Sequence, residues 1–87
     1  MNTYLYFYSA FCGPCKALAS KTTNLSIHYR NRFLKLDIDY AQELGNRLGV
    51  KTFPTIITVH HDRVIEHIGP GGVVKKLTEI EKELNGH

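Results

Sequence analysis

The run Tyr4-Leu5-Tyr6-Phe7-Tyr8 holds five apolar or aromatic residues with no breaker, and Pro14 follows six residues after it. A short apolar run bounded by turn residues reads as a buried strand. A proline is tolerated in the first turn of a helix, where its missing N–H has no partner to lose. The chain therefore opens on a strand–turn–helix unit, with the strand over residues 4–8, the turn over 9–14 and a helix starting at Gly13 or Pro14. Tyr4, Tyr6 and Tyr8 fall on one face of that strand and are expected to pack in the core.

The first helix is expected to run to Arg30, with Cys15, Leu18 and Ala19 on its apolar stripe and a bend at Thr22-Thr23-Asn24. Residues 33–38 read as a second strand, with Leu34, Leu36 and Ile38 on one face and Lys35 and Asp37 on the other. A short helix over 41–48 carries Leu44 and Leu48 and is closed by Gly49. The β-branched segment 55–60 reads as a third strand, and His61-Asp62 turns it into a fourth at 63–68. After Gly69-Pro70-Gly71-Gly72, a last helix over 73–85 places Val73, Val74, Leu77, Ile80 and Leu84 on one face and pairs Lys75 with Glu79. The order β-α-β-α-β-β-α predicts an α/β fold, a mixed four-stranded sheet with helices on both faces. Strands one to three are expected to be parallel and the fourth antiparallel. Residues 1–87 are read as a single domain.

Composition narrows the function. Eighty-seven residues, 43% apolar and 10% aromatic, are enough for one core and argue against disorder. Eleven Lys and Arg against eight Asp and Glu give a net charge of +3, too small and too dispersed for a nucleic-acid partner. No stretch approaches the roughly 20 apolar residues that span a bilayer, so no membrane partner is expected. Met1-Asn2-Thr3 lacks the basic start of a secretory signal, and Asn24-Leu25-Ser26 is then no glycosylation site. The expected location is cytoplasmic, where thiols are kept reduced.

In that setting the only cysteines, Cys12 and Cys15, are the most informative residues. Zinc takes four ligands, usually from two such pairs. Only one pair exists here, and His28, His60, His61, His67 and His87 form no constellation, so no metal is expected. Gly71-Gly72 is followed by no Lys-Ser/Thr and makes no phosphate cradle. A Cys-x-x-Cys between a strand and a helix reads instead as a dithiol redox pair. Cys12 falls at the helix N-cap, where free N–H groups favour a thiolate, and Cys15 lies one turn further in. Cys12 is the expected nucleophile and Cys15 the resolving thiol.

The residues together resemble the thioredoxin family over nearly the whole chain from Thr3 onward. Cys12-Gly13-Pro14-Cys15-Lys16 is similar to that family's active-site run, with Phe11 in place of the usual tryptophan. Lys35-Leu36-Asp37-Ile38-Asp39 resembles its second sheet segment, in which Lys35 matches a lysine near the active site. Gly49-Val50-Lys51-Thr52-Phe53-Pro54-Thr55 resembles its cis-proline loop, and Gly69 matches a glycine on the opposite lip of the substrate groove. The resemblance implies a monomeric protein-disulfide reductase that needs no cofactor beyond its own disulfide. Phe53, Pro54 and Gly69 would hold the substrate chain, and an NADPH-dependent thioredoxin reductase would return the pair to dithiol.

This chain also departs from the family. The reading expects neither the strand nor the helix that precede this point in the family. Tyr6 stands six residues before Cys12, where the family has a buried aspartate that moves the proton of the resolving thiol. A phenol titrating near about 10 cannot do this at neutral pH, so slower turnover is expected unless water, Lys35 or Asp37 substitutes. Two further readings stand beside the reductase. One is a glutaredoxin-like enzyme using glutathione, suggested by the short chain and Gly71-Gly72, against which Gly13-Pro14 is the thioredoxin dipeptide. The other is a thioredoxin-fold binding subunit of a larger enzyme, acting through Phe11, Phe53 and Gly69.

Overall fold

The computed structural model describes residues 1–86, so His87 lies outside the described residues. Strands β1 (Asn2–Tyr8), β2 (Phe33–Asp37), β3 (Thr55–His60) and β4 (Arg63–Ile68) form one sheet in the order β2-β1-β3-β4. Helices α1 (Gly13–Ala17) and α2 (Ala19–His28) connect β1 to β2, and α3 (Gln42–Arg47) connects β2 to β3. A single 3-10 turn, Pro70–Gly72, leads into α4 (Val73–Asn85). Among the described residues no helix is long and apolar enough to cross a membrane.

The alternation in β1 divides the core between the two faces of the sheet. Tyr4 and Tyr6 pack with Phe33, Ile56, Leu25 of α2 and Val73, Leu77, Ile80 and Leu84 of α4, and Tyr8 leans on the same cluster. Phe7 points to the opposite face and packs with Ile57 and Val50, joined by Leu36, Ile38 and Leu48 around α3. The two core layers lie on either side of a mixed sheet, as the α/β reading expects.

Strand direction corrects that reading. β2 runs parallel to β1, but β3 runs antiparallel to it, with Phe7 opposite Thr55 and Asn2 opposite His60. The chain turns back after α3: Gly49 is left-handed, with φ at 73°, and the Val50 N–H bonds Gly45 O at 2.8 Å, and the connection returns to the end of the sheet that it left. β4 then pairs antiparallel with β3 through His61 and Asp62, whose φ values of 50° and 63° match a two-residue hairpin turn.

Three smaller expectations also change. The first helix breaks at Leu18, which joins α1 to α2, and not at Thr22-Thr23-Asn24. Thr22 is buried inside α2 and donates its hydroxyl back to Leu18 O at 2.8 Å, so the helix absorbs it without bending away. Val74 is exposed, because the stripe of α4 that meets the sheet is carried by Val73, Leu77, Ile80 and Leu84. Among the described residues α4 forms its ion pairs with other elements, Lys21–Glu81, Arg32–Glu83 and Lys76–Glu66, and not between Lys75 and Glu79.

Candidate redox site

The register gathers four loops at one end of the sheet. Tyr8 ends β1 beside Asp37 at the end of β2, Thr55 starts β3 opposite Phe7, and Ile68 ends β4 opposite Ile56. The segments after β1, after β2, before β3 and after β4 therefore meet there, the end of an α/β sheet at which sites are built.

Cys12 and Cys15 are joined as a disulfide, with their Cα atoms 5.2 Å apart. Ser9 shapes the turn that carries them. Its carbonyl accepts the Cys12 N–H at 3.2 Å, and its hydroxyl oxygen accepts the Phe11 N–H at 3.2 Å. The sequence places the start of the turn at Ser9 but not these two hydrogen bonds, which fix its shape. Cys12 is the N-cap of α1, and its Sγ accepts the backbone N–H of Cys15 at 3.2 Å. Pro14 sits in the first turn, where it has no bond to lose. Gly13 has open space around it. The two sulfur residues differ in access. Cys15 is 5% exposed, while Cys12 is only half-buried and the neighbouring Phe11 is 93% exposed.

The Phe53–Pro54 peptide bond is cis, and Pro54 lies one step before the Phe7–Thr55 pair, so it sits beside the end of β1. Thr55 ties this loop down by donating its hydroxyl to Thr52 O at 2.6 Å. The Phe53 side chain packs on the core cluster around α3. Gly69 is extended, and a Cβ built on it would meet Thr52 Oγ1 only at 4.0 Å, so the Gly69 and Pro54 loops approach one another.

The residues expected to tune the pair lie behind it and do not act alike. Tyr6 is fully buried, stacked on Tyr8 and Phe33 with ring centroids 6.2 and 6.1 Å away. Its hydroxyl makes no hydrogen bond among the described residues. Burial pushes its phenol up to about 12. Lys35 crosses from β2 to α2, donating to Ala19 O at 3.2 Å and Thr23 Oγ1 at 2.8 Å, and burial lowers its pKa. Asp37 accepts the Asp39 N–H at 2.9 Å, which ties its carboxylate to the turn after β2. The structure thus gathers the segments that carry Cys12, Cys15, Pro54 and Gly69 at one end of the sheet, with Cys15 and Lys35 lining one pocket and Tyr6 in the core.

Known proteins resemble this chain in sequence and in fold. The family model described as Thioredoxin matches residues 2–85. Thioredoxin Asp f 28 of Aspergillus fumigatus is 31% identical over 80 residues, which are 91% of this chain and 74% of that one. The crystal structure of reduced Schistosoma mansoni thioredoxin pre-protein is similar in fold, with a TM-score of 0.74 and 26% identity over 93% of this chain and 77% of that one. A chain from the crystal structure of a ferredoxin:thioredoxin reductase and thioredoxin f2 complex matches at a TM-score of 0.72 with 30% identity, over 94% of this chain and 76% of its own.

Proposed function

Because this chain belongs to the thioredoxin family and is a thiol–disulfide oxidoreductase, we propose that it reduces protein disulfides, with Cys12 attacking and Cys15 resolving. The observation that carries this assignment is the asymmetry of the pair. Cys12 is accessible and its sulfur accepts a backbone N–H, while Cys15 is buried behind it. A thiolate at Cys12 is stabilised by that N–H and can reach a substrate sulfur.

In the reaction the Cys12 thiolate attacks one sulfur of the substrate disulfide and expels the other as a thiolate. The Cys15 thiolate then attacks Cys12 Sγ, the Cys12–substrate bond breaks, and the Cys12–Cys15 disulfide remains. Two electrons pass from the protein to the substrate. The substrate chain would lie extended against the backbone of Phe53, Pro54 and Gly69, as a short added strand. No cofactor is required beyond the pair itself. A thioredoxin reductase would restore the dithiol, NADPH-dependent in our reading; the similar thioredoxin f2 chain, solved in complex with ferredoxin:thioredoxin reductase, supports a reductase as partner. We read residues 1–87 as one such domain, working as a cytoplasmic monomer.

The midpoint potential of the Cys12–Cys15 couple tests the reading. Equilibration with dithiol buffers should give a value near about −270 mV, that of a thioredoxin acting as reductant. A value near about −200 mV would move the protein to exchange with glutathione. No disulfide at any poise would leave only a binding role.

A further inference from the structure

Among the described residues no strand lies outside β4, which ends the sheet. An edge strand leaves backbone N–H and C=O groups unpaired along its length. Two apolar side chains stand in the middle of this one, Val64 at 50% exposure and Ile65 at 56%. Charged residues flank them, Arg63 before and Glu66 after. The other edge, β2, exposes only Leu34 among its apolar residues, at 36%.

β4 is irregular at this point. Thr58 pairs with Glu66 and Val59 with Val64, so Ile65 is an extra residue and the strand bulges there. In a regular strand, side chains three apart face opposite sides of the sheet. Here Glu66 opposes Thr58 and Arg63 opposes His60, two positions apart on β3, so both lie on one face. Val64 opposes Val59, which packs on the other face with the cluster around α3. Ile65 is the second residue of the bulge opposite that same Val59.

We propose that β4 is a self-association edge, at which two copies pair β4 with β4, antiparallel, about a two-fold axis between Val64 and Ile65. Such an axis brings together residues of the same face. It sets Val64 of each copy against Ile65 of the other, and Arg63 of each against Glu66 of the other. A regular strand could not do this, because Arg63 and Glu66 would lie on opposite faces. Opposite charges directly across a strand pair favour it. Glu66 has room for the second cation. Its Oε1 holds the Lys76 ammonium and the Thr58 hydroxyl, and its Oε2 has no partner among the described residues. A six-residue edge pair falls below the roughly 1,200 Å² of a stable interface, so the dimer is weak and reversible. Antiparallel pairing points the ends of the two sheets that carry the redox pairs in opposite directions. Each redox site stays open, and each copy works alone.

Sedimentation of the oxidised protein tests this. Between about 10 µM and about 1 mM the mass should rise from that of one chain towards that of two. Arg63→Glu and Glu66→Arg each set like charges together and should weaken association at least about tenfold. Mixed in equal amounts, the two variants restore both opposite-charge contacts and should associate as the wild type does. Ile65→Asp should also abolish association; it leaves Glu66 with Lys76 and serves if Glu66→Arg does not fold. None of these changes touches Cys12 or Cys15, so disulfide reduction per chain should keep its wild-type rate. A wild-type mass of one chain at every concentration overturns the proposal. So does association that survives Ile65→Asp, or a mixture that associates no better than its parts.

Discussion

The backbone N–H of Cys15 points at the sulfur of Cys12, 3.2 Å away, so the helix presents a donor to one cysteine by way of the other. In the reduced protein that donor favours a thiolate at Cys12 and does nothing for the buried Cys15. Alkylation followed by mass mapping should modify Cys12 first, at least about tenfold faster at neutral pH, with a midpoint below the ordinary thiol value of about 8.5. Equal rates at the two thiols would contradict this.

Tyr6 offers a test of stability and of rate. Its hydroxyl is buried without a partner among the described residues, a cost that Tyr6→Phe removes. That variant should be more stable by up to about 1 kcal/mol in urea unfolding. Tyr6→Asp supplies a carboxyl behind the pair, and the folded enzyme should turn over faster at pH 7. It also removes a ring stacked on Tyr8 and Phe33, and should cost about 3–5 kcal/mol. No gain in rate per folded molecule would remove the idea that Tyr6 slows the enzyme.

Alkaline pH should destabilise the protein in a defined window. Tyr4 and Tyr6 are each raised from 10.0 to about 12, chiefly by burial, with the Glu83 carboxylate that accepts the Tyr4 hydroxyl adding to Tyr4. Folding therefore favours the protonated phenols. Their contribution is complete below pH 10.0 and is lost as pH rises through about 12. Urea midpoints should be flat up to the start of that window and then fall. A flat profile through it would show the phenols ionising as freely as in the unfolded chain.

Gly49 closes α3 in the left-handed region, with φ at +73°. It turns the chain so that the Val50 N–H bonds Gly45 O at 2.8 Å, which aims the next residues at Pro54. A Cβ on Gly49 meets nothing within 4 Å, so Gly49→Ala tests the backbone alone. It should cost about 1 kcal/mol in thermal or urea unfolding, and Gly49→Asn less.

The redox pair was legible because its chemistry is local: two thiols, a turn and a helix start lie within a few residues. Tyr4, Tyr6 and Tyr8 sharing a core face followed from strand alternation alone. The direction of β3 did not, because Thr55-Ile56-Ile57-Thr58 is the same β-branched pattern in either orientation. The turn after α3 sets that direction, and in the sequence Gly49 marks only a helix end. The break at Leu18 was hidden in a continuous apolar stripe, and Thr22 looked like an interruption until its hydroxyl found Leu18 O. Lys35 was legible as a residue but not as a contact, since its partners Ala19 and Thr23 are set by how α2 lies on β2.

Trapping the intermediate tests the central claim most directly. The Cys15→Ser protein, reduced and mixed with a disulfide-bonded protein, should accumulate a mixed disulfide on Cys12 that mass spectrometry assigns to that sulfur. The Cys12→Ser protein should accumulate little or none. A mixed disulfide that forms on Cys15 as readily as on Cys12, or on neither, would contradict the account.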